Sequence, residues 1–287
     1  MDQRLLGSIL VLISAVCFGL IPIFTRFAYE GGVSVNGLLF IRFFSAFILV
    51  GIFLRLTGRF YIPSKTQLLF LLALGGIGYF LAAFFYFTSF LYITVSVAVL
   101  IANTYPVFVT TVSLALGLEK ISFSLIFSIL LTVIGLAFLS NPILNVSAIG
   151  ILLSFGTAVT YAAYTLLLPR ALKGLNGEIG AFYVMGATGF SFGILGALKN
   201  ELQFPLDIKT WAWIMMISVI STTIALTMLF KGLKIIGPSR TSILSTMEPA
   251  TAVIVASLLF KDTLNITQWI GGILILFATI LIAIRKS

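Results

Sequence analysis

The chain of 287 residues is 60% hydrophobic and only 9% charged, whereas soluble domains are about 25% charged. No water-soluble fold hides that much apolar surface, so lipid must be the solvent. The net charge of +9 would suit a nucleic-acid partner, but the placement of the basic residues assigns it to membrane topology instead.

Charged residues punctuate the chain and so mark the spans. Residues 5–25 carry none, nor do 66–118 and 121–169, runs of 53 and 49 residues, and a membrane helix needs about 20. Each long run therefore folds back once. The first break is placed at 91–96 and the second at Asn141-Pro142 to Asn145, a strong turn signal. The predicted spans are 5–28, 35–55, 67–90, 95–117, 121–140, 148–168, 178–198, 210–231, 238–260 and 264–284. Continuous rather than alternating apolar runs select helices over a barrel. Residues 5–25 are too long for a signal peptide and lack a small-residue cleavage site. The lone Cys17 rules out an intrachain disulfide.

With the N-terminus inside, eleven basic residues fall on the cytoplasmic side: Arg4, Arg55, Arg59, Lys65, Lys120, Arg170, Lys173, Lys231, Lys234, Arg285 and Lys286. Four fall outside: Arg26, Lys199, Lys209 and Lys261. This positive-inside bias predicts two cytoplasmic termini. No nucleic acid is expected as a partner.

A shift of 143 residues aligns the chain with itself without a gap. Gly7 falls on Gly150, Ala15-Val16 on Ala158-Val159, Gly37 on Gly180 and Phe87 on Phe230. Ser96 meets Ser239, Pro106 meets Pro249, and Glu119 meets Asp262. The weak break at 91–96 lands on 234–239, where Gly237-Pro238 is an evident turn. The fold predicted is therefore an all-α integral membrane protein of ten transmembrane helices. They form two repeats of five, residues 1–143 and 144–287. Five is odd, so the second half enters from the opposite side and the repeats are inverted. Inverted repeats suit alternating access around a midplane site.

Polar groups within the spans are the candidate site. Glu248 is the one acidic residue deep in a span; it is either a substrate or proton site, or a carboxylic acid bonded to a neighbouring helix. Arg42 binds a carboxylate, pairs with Glu248, or snorkels outward. Arg240, two turns before Glu248, reads as an interfacial residue. Pro106 and Pro249 are expected to interrupt matching helices and free the carbonyls of Ala102 and Ser245. Asn103, Thr104, Ser245 and Thr246 stand beside them. Tyr79, Tyr161 and Tyr164 offer rings and hydroxyls at depth, either to substrate or to packing. The clusters Gly75-Gly76 with Gly78, Gly186 with Gly189 and Gly193, and Gly271-Gly272 allow close helix approach.

Histidine is absent, which excludes an imidazole relay, a histidine metal site and a histidine-based triad. No Walker-type loop exists. Neither cofactor nor metal nor catalytic residue is expected, and transport without ATP is the leading function. Two sequons, Asn145-Val146-Ser147 and Asn265-Ile266-Thr267, abut span ends and read as coincidental.

Arg42-Phe43, the Pro106 segment ending in Leu116-Gly117-Leu118-Glu119, and Met247-Glu248-Pro249 leading to Leu258-Leu259-Phe260-Lys261-Asp262 resemble a known pattern. Over its whole length the chain is similar to the EamA-type transporters of the drug/metabolite transporter superfamily. Phe18-Gly19, where many members have Trp-Gly, and Lys261-Asp262 in place of Gly-Glu, depart from it. The resemblance implies a carrier of the inner (plasma) membrane, several such carriers being exporters of amino acids or related metabolites. It also implies a central cavity between the halves. The partners expected are a small-molecule metabolite, the bilayer, and protons through Glu248, on a chain read as monomeric. A channel or scaffold, and less so an intramembrane enzyme, are the competing readings.

Overall fold

A computed structural model describes residues 3–89, 91–93, 98, 101–118, 122–139, 147–204, 207–260 and 266–284. Among these no strand occurs. The first half contains α1 (Gln3–Gly19), α2 (Ile21–Glu30), α3 (Val35–Leu56), α4 (Lys65–Ala73), a π-helical turn π1 (Leu74–Tyr79), α5 (Phe80–Ser89), α6 (Tyr105–Ala115) and α7 (Phe123–Leu139). Next come α8 (Ala148–Ala171), α9 (Gly177–Leu198), α10 (Ile208–Ser218) and a second π turn, π2 (Val219–Ile224). The chain closes with α11 (Ala225–Ile236), α12 (Pro238–Ser245), α13 (Met247–Phe260) and α14 (Ile266–Ile284).

Six continuous stretches are long and apolar enough to cross a bilayer: Gln3–Glu30, Val35–Leu56, Lys65–Ser89, Ala148–Ala171, Gly177–Leu198 and Ile208–Ile236. With the shorter apolar helices they make this a multi-pass membrane protein. Several helix starts are chemically marked. Ser34 accepts from Gly37 N at 3.1 Å, Ser64 from Gln67 N at 3.4 Å and Asp207 from Thr210 N at 2.8 Å, each supplying an acceptor for an orphan amide of the first turn.

Three predicted spans are interrupted. The first bends at Leu20, because Pro22 sits in the opening turn of α2, where a missing N–H costs nothing. The fourth breaks at Asn103-Thr104, with Pro106 in the first turn of α6. The ninth breaks at Thr246, between α12 and α13. Pro106 and Pro249 therefore open new helices rather than lying mid-helix, which removes the expected clash with the carbonyls of Ala102 and Ser245. Just upstream, the preceding helices close with tighter bonds, Thr104 N to Ile101 O and Thr246 N to Ile243 O, each at 3.1 Å. Thr104 Oγ1 donates to Ile101 O at 2.7 Å and Thr246 Oγ1 to Ile243 O at 2.6 Å. Of the predicted turns, α5 ends at Ser89 with a hydrogen-bonded turn at 91–93, and Gly237 adopts φ +78° between α11 and α12. The turn at Asn141 to Asn145, and Lys120, Lys261, Glu119, Asp262, Ser96, Asn265, Arg285 and Lys286, lie outside the described residues.

Packing follows the 143-residue shift. The tightly packed pairs α3–α9 and α7–α14 each map onto themselves. The pair α1–α11 becomes α8–α5, α1–α13 becomes α8–α6, and π2–α3 becomes π1–α9. Small residues make the closest of these contacts. A methyl on Gly189 would lie 3.0 Å from Phe44 N, so α9 rides directly on the α3 backbone.

The two π turns widen their helices and leave carbonyls in need of donors. Around π1, Thr188 Oγ1 donates to Gly75 O at 2.8 Å and Ser191 Oγ to Gly76 O at 3.0 Å. At π2 the donor is Arg42, reaching Ser221 O from Nη2 at 3.2 Å. Ser14 Oγ further donates to Ala225 O at 2.7 Å.

One end of the molecule is tied by ions. Lys231 Nζ lies 2.7 Å and Arg59 Nη1 3.8 Å from Glu178 Oε1. Glu178 also sits in the first turn of α9, where a negative charge suits the helix dipole. It is thus a second carboxylate within the helical body besides Glu248, but it lies at a span end and is already paired.

Candidate functional site

The helix breaks and π1 border a cavity of about 690 Å³, counting the part open to solvent. Phe18 and Ile21 flank the bend after α1, and Arg42 and Phe43 come from α3. Tyr79 closes π1, and Ala82, Ala83, Tyr86 and Phe87 follow on α5. Ala102, Asn103 and Tyr105 come from the break before α6. The second half supplies Thr157 and Tyr161 of α8 and Glu248 of α13.

Arg42 is 3% exposed, so it does not snorkel. Its Nε donates to Thr222 Oγ1 at 2.7 Å, and its guanidinium carbon lies 4.9 Å from the Phe43 ring centroid. Among the described residues no ion pair joins it to Glu248; the two charges share one cavity instead. An arginine stays charged when buried, and two of its five donors are occupied by π2. The Glu248 carboxylate is partly exposed into the cavity, in the first turn of α13, where the helix dipole favours negative charge.

Aromatic rings form most of the wall. Tyr79 lies 6.1 Å from Tyr161 and 5.1 Å from Tyr164 between ring centroids. Tyr105 meets Tyr161 edge-on at 4.8 Å, and Phe43 meets Tyr79 edge-on at 5.6 Å. The Tyr105 hydroxyl donates to Ser242 O at 3.2 Å and lies near the Ser245 side chain.

Five of the predicted site residues, Arg42, Tyr79, Asn103, Tyr161 and Glu248, therefore line one cavity. Two do not. Tyr164 is 1% exposed and backs Tyr79, while Ser245 lies behind Tyr105. Both stand one side chain away from the cavity because the rings in front fill the space. Pro106 and Pro249 shape the breaks without lining it. Arg240 is buried and does not line it either. The lining residues absent from the prediction include Phe18, Tyr86 and Tyr105. Two of them carried a readable signal, since Phe18 stands 143 residues before Tyr161 and Tyr105 the same distance before Glu248. Tyr86 carried none.

This arrangement offers one fixed cation, one carboxylate and several π faces in a cavity walled by both halves. Comparison with known proteins agrees with a membrane transporter fold. The model of the EamA-like transporter family matches residues 5–141 and again 148–284. An uncharacterized transporter of Archaeoglobus fulgidus is 30% identical over 281 residues, covering 98% of this chain and 97% of that one. The uncharacterized transporter YcbK of Bacillus subtilis is 23% identical over 92% of this chain and 88% of its own length. A crystal structure at 17% identity superposes with a TM-score of 0.81, covering 96% of this chain and 95% of the other, and shows the fold alone. With the family pattern matched twice and almost end to end, the chain belongs to the EamA-like transporter family.

Proposed function

We propose that this chain is a secondary, non-enzymatic transporter of small zwitterionic metabolites, amino acids or close relatives, working by alternating access around the central cavity. In this reading ten spans form two inverted halves, residues 1–143 and 144–287, in the inner (plasma) membrane with both termini cytoplasmic. The chain acts as a monomer and without a cofactor.

The observation that carries the reading is the pairing of Arg42 and Glu248 in one aromatic-walled cavity. A carboxylate on the substrate completes the guanidinium donors that π2 leaves unused. An ammonium on the same molecule meets Glu248 and the faces of Tyr79, Tyr105 and Tyr161. The exchange of packing partners between the halves supports a scaffold with two equivalent arrangements, opening alternately to each side. Glu248 is also the group through which proton coupling would run.

Reconstituted protein tests this. Labelled neutral amino acids should enter proteoliposomes saturably and show counterflow, and Glu248→Gln should abolish that flux or flatten its pH dependence. Flux that neither saturates nor counterflows would mean a channel. No movement of any amino acid in a full panel would overturn the substrate class, and unchanged transport by Glu248→Gln across the pH range would remove the carboxylate from coupling.

A further inference from the structure

A second cavity, of about 660 Å³, lies beyond the first and is lined by Ser34, Asn36, Phe84, Thr88, Lys199 and Glu201, among others. Phe87 is the one described residue that lines both. It stands near the end of α5, just before the turn at 91–93.

The chemistry of this outer space mirrors that of the central one. Glu201 is held in place across the start of α3, accepting from Asn36 Nδ2 at Oε2 and from Ser34 Oγ at its carbonyl. Its Oε1 makes no hydrogen bond among the described residues. Lys199 Nζ lies 5.7 Å from the Phe84 ring centroid and has no hydrogen bond or ion pair to a described residue. An anchored carboxylate and an available ammonium thus face one cavity, with Phe84, Phe192 and Leu39 supplying apolar wall. Phe230, the counterpart of Phe87 in the other half, is fully buried and borders neither cavity. The two equivalent rings are therefore in different situations: both are buried, but Phe87 borders two cavities and Phe230 borders none.

We infer that the outer cavity is an access site for the same zwitterionic substrate, holding its carboxylate at Lys199 and its ammonium at Glu201, and that the Phe87 ring is the partition between it and the central site at Arg42 and Glu248. This rests on the transporter reading for its ligand but not for its gate. Rotation of one side chain about χ1 joins the two spaces, a small motion compared with rocking of whole halves. The access site sorts for charge before the partition opens, and the steering field of Lys199 raises the local concentration of anionic groups.

The test is cysteine modification of the full chain in a Cys17→Ser background. Ala83→Cys reports the central cavity and Leu91→Cys the outer one. Phe87→Ala should speed modification of Ala83→Cys by small methanethiosulfonates by roughly tenfold, as expected for removal of a gate, and leave Leu91→Cys nearly unchanged. Phe87→Leu should fall between, and Phe87→Trp should be slower than the parent, so the order by ring size is measurable even if the alanine variant does not fold. Lys199→Gln should slow the sulfonate-bearing reagent at Leu91→Cys relative to the ammonium-bearing one. Rates at Ala83→Cys indifferent to the side chain at 87 would overturn the partition. Equal effects of Lys199→Gln on both reagents would overturn the charge assignment. Labelling requires no transport, so size-ordered rates together with absent amino-acid counterflow would sink the transporter reading alone, and the reverse result would sink the gate alone.

Discussion

The Arg42 guanidinium reaches from α3 into π2, where its Nε and Nη2 satisfy Thr222 and Ser221 while its remaining donors border the cavity. At the equivalent place in the other half, Thr188 and Ser191 satisfy π1 without placing a charge. The same backbone need is met by a hydroxyl on one side and a cation on the other, and only the cation can also serve a substrate. Arg42→Ala should therefore weaken transport of carboxylate-bearing substrates more than that of neutral ones and also lower thermal stability, because Ser221 O loses its donor. Lysine carries the charge but not the fork, so Arg42→Lys should recover part of the carboxylate preference and little of the stability. Competition assays and thermal unfolding in detergent measure the two effects separately. The sequence marks Arg42 and Glu248 as unusual because charge in a span is costly. It does not mark Tyr86 or Phe43, since one aromatic residue among 27 phenylalanines and nine tyrosines reads as packing until geometry selects it. Tyr164 and Ser245 show the converse: a polar group at the right depth still misses the cavity when a ring stands in front of it.

Element boundaries follow from local chemistry where that chemistry is backbone-encoded. Pro106 and Gly237 each sit at a helix edge, where the sequence foretells a disturbance, whereas the bend before Pro22 falls in a span read as unbroken. The sequence places the disturbance a few residues off at Pro106 and Pro249, because the preceding helices close on Ile101 O and Ile243 O, each accepting both the amide and the hydroxyl of Thr104 or Thr246. The π turns are not foretold, since their widening depends on donors from α9 and α3 that are distant in sequence. Their packing yields a sharp contrast. A methyl on Gly75 would lie 2.6 Å from Val184 O, whereas on Gly76 its nearest neighbour is Ser191 Oγ at 3.3 Å. Gly75→Ala should cost about 1–3 kcal/mol as an overpacking change, and Gly76→Ala distinctly less, by thermal unfolding of the two variants in one detergent. At the start of α10 the hydrogen bond from Thr210 holds the Asp207 carboxyl below the usual carboxylate range. A lowered folded pKa means the cap contributes above the unfolded value and is lost as pH falls through the folded one. Asp207→Asn should thus lose stability at neutral pH, and the gap to the parent should close on acidification, as melting curves from neutral to acidic pH would show.

The two halves pack as exchanged partners around one cavity, with α3–α9 and α7–α14 as the pairs that map onto themselves. That relation is legible in the gapless 143-residue register, because prolines and turn residues persist where apolar side chains drift. The register also sets Tyr105 against Glu248 and Phe18 against Tyr161; what it does not supply is the difference between a Phe87 that borders two cavities and a Phe230 that borders none. A carrier needs this combination of a symmetric frame and an asymmetric site. The inversion of the halves is its central claim. Lys65 and Ile208, 143 residues apart at the starts of α4 and α10, test it most directly as single cysteines in a Cys17→Ser background with an impermeant thiol reagent on intact cells. The account predicts that Ile208→Cys is labelled from outside and Lys65→Cys only after the membrane is opened; labelling of both from the same face would contradict it.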